Sequence, residues 1–117
     1  MANIVNATRG AVVASRAERA ETHRARLLGL MGRRSLPEGG ALLITPCSSV
    51  QTFFMRFAID IVFLNGDGRV VKVVPALKPY RVAFGGRGAR SALELPAGVA
   101  AERGIAVGDR LVWEEGS

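Results

Sequence analysis

Apolar residues in this chain fall in short runs of strand length, and most of these runs are bounded by glycine, proline or asparagine. The run at residues 59–64, Ile-Asp-Ile-Val-Phe-Leu, is rich in β-branched and aromatic residues, which favour a β-strand. The next four residues, Asn-Gly-Asp-Gly, are typical of a hairpin turn because asparagine and glycine tolerate positive φ. The pattern predicts about eight strands, at residues 3–7, 10–15, 41–45, 52–55, 59–64, 69–75, 91–95 and 111–113.

One segment has helical rather than strand periodicity. Thr22 is suited to the N-cap of a helix, and apolar residues follow at helical spacing up to Met31. Gly32 is suited to the C-cap, so the pattern predicts one prominent helix over residues 22–31. The alanines of residues 16–21 fit a helix or a strand equally, and residues 99–103 predict a single helical turn.

These elements predict a mainly β fold that borders on the α+β class because of its one prominent helix. We expect one compact domain over residues 1–117, built as a β-barrel or a sandwich-like structure. No internal repeat and no linker composition divides the sequence. A length of 117 residues is sufficient to bury a core without a metal ion or a disulfide.

Composition narrows the location of the protein. Hydrophobic residues make up 49% and charged residues 22%, which is typical of a globular domain. No segment approaches the roughly 20 apolar residues of a membrane span, and residues 1–10 lack the apolar core of a signal peptide. The single cysteine, Cys47, cannot form an intramolecular disulfide. These features predict a cytoplasmic protein.

The net charge of +6 favours an anionic ligand or partner. Basic residues are scattered along the chain without a contiguous run, which disfavours nucleic acid as the partner. The exception is residues 72–90, a turn-rich segment with five basic residues and no acidic one. Any anion-binding surface is expected there, and its candidate residues are Lys78, Arg81, Arg87 and Arg90.

Two carboxylates stand in apolar surroundings. Asp60 lies within the run at residues 59–64, and Glu94 stands between two leucines. A buried carboxylate is costly unless it is paired or hydrogen-bonded. One interpretation is that each pairs with an arginine, Arg33 or Arg56, and anchors the helix to the sheet, with Arg33 expected for Asp60. The other is that the two carboxylates meet in a cleft as the general acid and base of a small hydrolase or lyase.

Sulfur-containing residues offer a third interpretation. Met31, Cys47 and Met55 would supply the soft ligands that suit Cu(I). Cys47 would alternatively be a nucleophile, but no base is evident near it. Buried methionine and cysteine are ordinary core residues. We therefore predict neither a metal site nor a cofactor.

Several motifs follow one another along nearly the whole chain. They are Gly-Leu-Met-Gly-Arg at residues 29–33, Thr-Phe-Phe-Met-Arg-Phe at 52–57, Ile-Asp-Ile-Val-Phe at 59–63, Leu-Glu-Leu-Pro-Ala-Gly at 93–98, and Gly-Asp-Arg-Leu at 108–111. This series resembles the domain-of-unknown-function 192 family of small bacterial and archaeal proteins. The resemblance implies a compact β-rich domain with one prominent helix, and it implies no activity. Three departures stand out: Gln51 replaces a frequent histidine, Ala58 replaces a frequent proline, and no leader resembles that of exported members.

A single pocket, functional or anchoring, is the predicted site. Its candidate residues are Arg33, Cys47, Gln51, Met55, Arg56, Asp60 and Glu94. The favoured function is a non-enzymatic binding or accessory module for an anionic ligand or a protein partner. The alternatives are a hydrolase or lyase that uses Asp60 and Glu94, and a copper-binding protein that uses Cys47, Met31 and Met55.

Overall fold

The computed structural model describes residues 2–20 and 35–115, and strands dominate them. The strands are β1 (Ala2–Asn6), β2 (Ala11–Ala20), β3 (Gly40–Ile44), β4 (Ser49–Gln51), β5 (Ile59–Leu64), β6 (Val70–Leu77), β7 (Val82–Phe84), β8 (Ser91–Pro96) and β9 (Leu111–Glu115). One short helix, α1 (Val99–Glu102), separates β8 from β9. The mainly β fold is therefore confirmed. None of the helices in these residues has the length and apolar character required to cross a bilayer.

Seven of the described strands form one sheet, in the order β6-β5-β8-β3-β2-β1-β9. Strands β2 and β3 are parallel, and the other neighbours are antiparallel. The two end strands approach each other at an isolated bridge between Arg69 and Arg110. In the described part of the chain this bridge does not extend into a ladder, so the sheet is not closed into a barrel. The barrel alternative predicted from the sequence is wrong.

Both faces of the central strands are covered, and two core clusters lie on opposite sides of the sheet. The helix-side cluster includes Val62, Leu64, Leu93 and Leu95 together with Ala100 of α1. The small-sheet cluster includes Ile59, Ile61, Phe63, Ala92 and Met55. All six residues of β5 are buried, because its side chains enter both clusters in turn. Two-sided burial explains why residues 59–64 form a continuous apolar run rather than an alternating one.

Strands β4 and β7 form a separate two-stranded sheet that covers the second face. Val50 and Ala83 are directly opposite each other and are buried in the small-sheet cluster. A two-stranded sheet is marginal in water by itself, so this contact with the core stabilises it. Gly85 follows β7 where a Cβ atom would lie 2.6 Å from the ring of Phe63, so glycine permits the close approach of the chain to the core.

Most predicted elements are confirmed within one or two residues. Residues 16–20, which fitted either period, continue β2. Residues 52–55, predicted as a strand, instead form the turn after β4, and Phe54 has a φ of 64°. The helical turn predicted at residues 99–103 is present as α1. The helix predicted at residues 22–31 lies outside the described residues.

The carboxylate of Asp109 fastens β1 to the segment before β9. Its Oδ2 accepts hydrogen bonds from Arg9 Nε at 2.7 Å, from Asn6 Nδ2 at 2.9 Å and from the N–H of Ala106 at 3.0 Å. The bond from Arg9, with those from Asn6 and Ala106, lowers the pKa of Asp109 from 3.8 to about 2. The main-chain oxygen of Asp109 accepts from Val70 at 2.8 Å, so the same residue also reaches β6.

Acid is expected to weaken this junction. Because the pKa of Asp109 is lower in the folded chain than in the unfolded chain, its carboxylate stabilises the fold above about pH 4. That contribution is lost as the pH falls toward about 2. We expect wild type to be more stable than Asp109→Asn at neutral pH. This difference in the free energy of unfolding, measured by urea titration, should decrease across this pH interval. Asp67→Asn, which changes an exposed carboxylate in a turn, is the control. If the stability difference between wild type and Asp109→Asn were the same at neutral pH and at about pH 2, the stabilising role of the Asp109 carboxylate would be contradicted.

Candidate functional site

Asp60 lies in β5, and its carboxylate is buried between the end of β6 and the start of α1. Oδ1 accepts a hydrogen bond from the main-chain N–H of Ala76 at 2.8 Å. Oδ2 accepts two more, from Gly98 at 3.0 Å and from Ala100 at 2.8 Å. Since the first N–H groups of a helix have no partner within the helix, this carboxylate caps α1 from a distant strand. Asp60 therefore joins three elements of the fold.

Glu94 lies one strand away from Asp60 but on the other face of the sheet. In the ladder between β5 and β8, Asp60 is opposite Leu95, and Glu94 is opposite Ile61. Directly opposite side chains share a face, and successive residues alternate between faces. Asp60 therefore points to the helix side with Leu95, and Glu94 points to the small-sheet side with Ile61. The two carboxylates do not meet around one substrate atom.

Of the two arginines proposed from the sequence, only Arg56 lies among the described residues, and it makes no hydrogen bond to Asp60. Arg56 is exposed in the segment between β4 and β5. Arg33 lies outside the described residues, as does Met31. Main-chain N–H groups satisfy the Asp60 carboxylate, so its hydrogen bonding does not require an arginine.

Three further candidates lie on or beside β4 in different surroundings. The thiol of Cys47 donates to the carbonyl of Ser49 at 2.9 Å. Gln51 is exposed, and its Oε1 accepts from the N–H of Phe53 at 2.6 Å. Met55 is buried in the small-sheet cluster. In the described part of the chain, no three His, Cys, Asp or Glu side chains are grouped so as to hold a metal ion.

Three aromatic side chains project from two neighbouring turns beside the small sheet. The exposed fractions of Phe53, Phe54 and Tyr80 are 41%, 63% and 56%. The Tyr80 ring centroid lies 6.1 Å from that of Phe53 and 5.9 Å from that of Phe54, with interplanar angles of 48° and 66°. Phe54 and Tyr80 have φ angles of 64° and 62°, in the left-handed region that side chains disfavour. Such strain costs on the order of 1–3 kcal/mol per residue and is concentrated at functional sites.

Thr52 holds these two turns together. Its buried hydroxyl donates to the carbonyl of Lys78 at 2.7 Å and accepts from the N–H of Arg81 at 2.9 Å. The main chain of Thr52 adds a bond to the carbonyl of Arg81 at 2.8 Å, and its own carbonyl accepts from Tyr80 at 3.0 Å. These bonds hold the turn that carries Tyr80 against Thr52, and the N–H of Met55 donates to the Thr52 carbonyl at 3.2 Å across Phe54.

The outer face of the small sheet continues the exposed apolar area. Val82 and Phe84 point away from the core on β7, and Phe84 is 66% exposed. On β4 their directly opposite neighbours are Gln51 and Ser49, which are also exposed. In the described part of the chain, five of the seven exposed large hydrophobic residues lie in this region, so the exposure is concentrated.

Basic side chains border the aromatic rings. Lys72 donates from Nζ to the carbonyl of Phe84 at 2.8 Å, and Arg81 donates from Nη1 to the carbonyl of Tyr80 at 3.3 Å. Lys78 is exposed two residues before Tyr80. Neither residues 47–59 nor residues 68–93 contain an acid. We define the aromatic-basic surface as Phe53, Phe54, Tyr80, Val82, Phe84, Lys72, Lys78 and Arg81.

The remaining anion-binding candidates lie on the loop that follows β7. The side chains of Arg87 and Arg90 are exposed. The main chain of Arg90 donates to Leu64 at 2.7 Å and accepts from Cys47 at 2.8 Å. The core thus fixes the end of this loop while its charged side chains reach solvent.

Two of the four anion-binding candidates predicted from the sequence, Lys78 and Arg81, belong to this surface, and the exposed aromatic residues were missed. Residues 52–55 were interpreted as a strand, which would have placed alternate side chains in the core. The signal that could have identified the surface is a pair of adjacent phenylalanines, Phe53 and Phe54, because a strand with one buried face cannot bury both.

Two small cavities lie away from the aromatic-basic surface. One, of about 160 Å³, is lined mainly by apolar residues of β1, β3, β5, β8 and β9. The other, of about 170 Å³, lies between the β2–β3 connection and α1. Both are smaller than the roughly 300–1,000 Å³ of a typical small-molecule pocket. Neither Asp60 nor Glu94 lines them.

Comparison with known sequences gives one consistent result. The model of the DUF192 family, described as "Uncharacterized ACR, COG1430", matches residues 4–113. A UPF0127 protein of Pyrococcus furiosus is 35% identical, over 94% of this chain and 97% of that protein. A UPF0127 protein of Thermococcus sibiricus is 31% identical, over 95% of this chain and 74% of that protein.

Two crystal structures share the fold. A protein of unknown function from Novosphingobium aromaticivorans has a TM-score of 0.82 at 24% identity, over 96% of this chain and 83% of that chain. A protein described as a putative transcription regulator from Sinorhizobium meliloti has a TM-score of 0.81 at 22% identity, over 96% of this chain and 91% of that chain. At these identities the likeness concerns the fold alone.

Proposed function

From the premise that this chain belongs to the DUF192 family of uncharacterised proteins, we propose that it is a non-enzymatic binding module whose aromatic-basic surface holds an anionic partner. The observation that carries this proposal is the group of exposed rings on two strained turns. A fold that serves only its own stability gains nothing from that arrangement. Aromatic residues and arginine are also the residues enriched where proteins bind partners.

Preorganisation supports the same function. The hydroxyl of Thr52 ties the two turns, so Phe54 and Tyr80 are presented without a folding step on binding. A surface that is already ordered loses less conformational entropy when a partner docks. The partner therefore meets a rigid set of rings bordered by cations.

The hydrolase or lyase alternative loses support from the sheet register, which separates Asp60 from Glu94. The copper alternative loses support from the burial of Met55 among apolar side chains. We place the module in the cytoplasm, as expected for a chain whose single cysteine cannot form an internal disulfide.

Charge reversal tests the proposal. We expect fluorescein-labelled heparin to bind wild type, and Lys78→Glu with Arg81→Glu to reduce both the affinity and the salt dependence, by about one unit of log–log slope per lost ionic contact. Arg16→Glu with Arg103→Glu is the matched control, because both arginines are exposed on other elements and the net charge changes equally. Equal losses in the two double variants, measured by fluorescence anisotropy, would show that only net charge matters and would refute the assigned surface.

A further inference from the structure

The geometry points to single-stranded nucleic acid as the partner of the aromatic-basic surface. This inference rests on the proposed function and adds the chemical class of the anion. It reverses the expectation from the sequence, in which scattered basic residues disfavoured nucleic acid, because the fold places Lys72, Lys78 and Arg81 beside exposed rings. Surfaces that bind single strands combine cations, which follow the phosphates, with aromatic rings on which the bases stack. Both components are present here on neighbouring turns and on one short strand.

The rings of Phe53 and Phe54 are inclined to that of Tyr80 rather than parallel to it. Phe53 and Phe54 make angles of 48° and 66° with Tyr80, so their faces point in different directions. Phe84 projects separately from β7. Rings in this arrangement can receive separate bases, provided that the bases are not already stacked in a duplex. The surface thus selects an unpaired strand.

Polar side chains between the rings favour nucleic acid over a lipid surface. Ser49 is directly opposite Phe84, and Gln51 is directly opposite Val82, on the same exposed face. Insertion into a bilayer would remove these polar groups from water without offering them hydrogen-bond partners. The edges of unpaired bases offer both donors and acceptors to serine and glutamine.

Charge argues against a second copy of the chain as the occupant. The two segments that carry the surface, residues 47–59 and 68–93, have basic residues and no acid. A symmetric dimer through this face would place like charges together, which is unfavourable. Phosphates at the same positions would pair with Lys72, Lys78 and Arg81.

Fluorescence anisotropy with defined probes tests the inference. The probes are a labelled thymidine oligonucleotide of about 15 nucleotides, a duplex with the same number of phosphates, polyglutamate, and vesicles of phosphatidylcholine with phosphatidylserine. We expect the single strand to bind most tightly and to weaken steeply with salt. Phe54→Leu keeps an apolar side chain but removes the aromatic face, and we expect it to weaken single-strand binding by about tenfold. Val107→Ala, a change at an exposed apolar residue on another loop, should leave binding unchanged.

The outcomes separate this inference from the proposed function. Equal binding of the single strand, the duplex and polyglutamate, unaffected by Phe54→Leu, would overturn the nucleic-acid inference and leave a general anion-binding module. Binding to the vesicles without binding to the oligonucleotide would overturn it in favour of a membrane partner. No binding to any probe, heparin included, would overturn both. Phe84→Leu provides a second variant if Phe54→Leu lowers the unfolding midpoint.

Discussion

Replacing Asp60 by alanine is expected to lower the free energy of unfolding by about 2–4 kcal/mol, because buried main-chain donors would lose their acceptor. The carboxylate accepts from Ala76, Gly98 and Ala100, which belong to the end of β6 and the start of α1. Gly98 and Ala100 lie at the start of α1, where N–H groups have no acceptor within the helix, and Ala76 lies at a register shift in the β5–β6 ladder. Domains of this size are stable by roughly 5–15 kcal/mol, so the loss would be a large fraction of the total.

Urea unfolding of matched variants measures this effect. Asp60→Asn is expected to be milder than Asp60→Ala, since one oxygen remains to accept while the new NH₂ group faces donors. Asp67→Ala is the control, and a change at this exposed turn residue should stay within about 0.5 kcal/mol. If Asp60→Ala were as mild as the control, the carboxylate would not organise the fold, and a functional role for Asp60 would regain support.

Replacing Thr52 by valine is expected to cost about 2–3 kcal/mol, because the change removes the hydroxyl and keeps the shape of the side chain. The N–H of Arg81 would lose its bond to the hydroxyl, and the carbonyl of Lys78 would lose its donor. The strain at Phe54 and Tyr80 would then be less well opposed. We expect the affinity for heparin to fall as well, although residue 52 is itself fully buried.

Thr45→Val is the graded control for this experiment. It makes the same isosteric change but removes only the bond between the hydroxyls of Thr45 and Ser91, which are 3.1 Å apart. We expect a loss of about 0.5–1.5 kcal/mol and no change in heparin affinity. Unfolding midpoints and anisotropy titrations measure both quantities. If Thr52→Val were no more disruptive than Thr45→Val, the two turns would be held by other contacts.

Asp60 stood out in the sequence as a candidate functional residue, and in the structure its hydrogen bonds hold elements of the fold together. A carboxylate in an apolar run requires partners, and an arginine was the partner predicted from the sequence. The structure supplies main-chain N–H groups from two other elements. Such donors cannot be identified from composition, because every non-proline residue carries one and only the fold determines which are left without a partner.

Local sequence by itself determined most of the strands and the hairpin turn. Residues 59–64 formed β5 because a two-sided core requires a continuous apolar run, and residues 65–68 formed the turn because asparagine and glycine permit it. The strand predicted at residues 52–55 was wrong because distant contacts outweighed the β propensity of threonine and phenylalanine. The hydroxyl of Thr52 bonds to residues 26 and 29 positions later, and no local pattern contains that information.

Only the tertiary structure decided the candidate site. Register placed Asp60 and Glu94 on opposite faces, since a shift of one residue changes the face of every side chain and the sequence does not specify which residues are paired. The pairing of β4 with β7 brought Phe53 and Phe54 to Tyr80 and its basic neighbours, although more than twenty residues separate them along the chain. Charges that are scattered in sequence form a surface because strands from distant segments pair side by side.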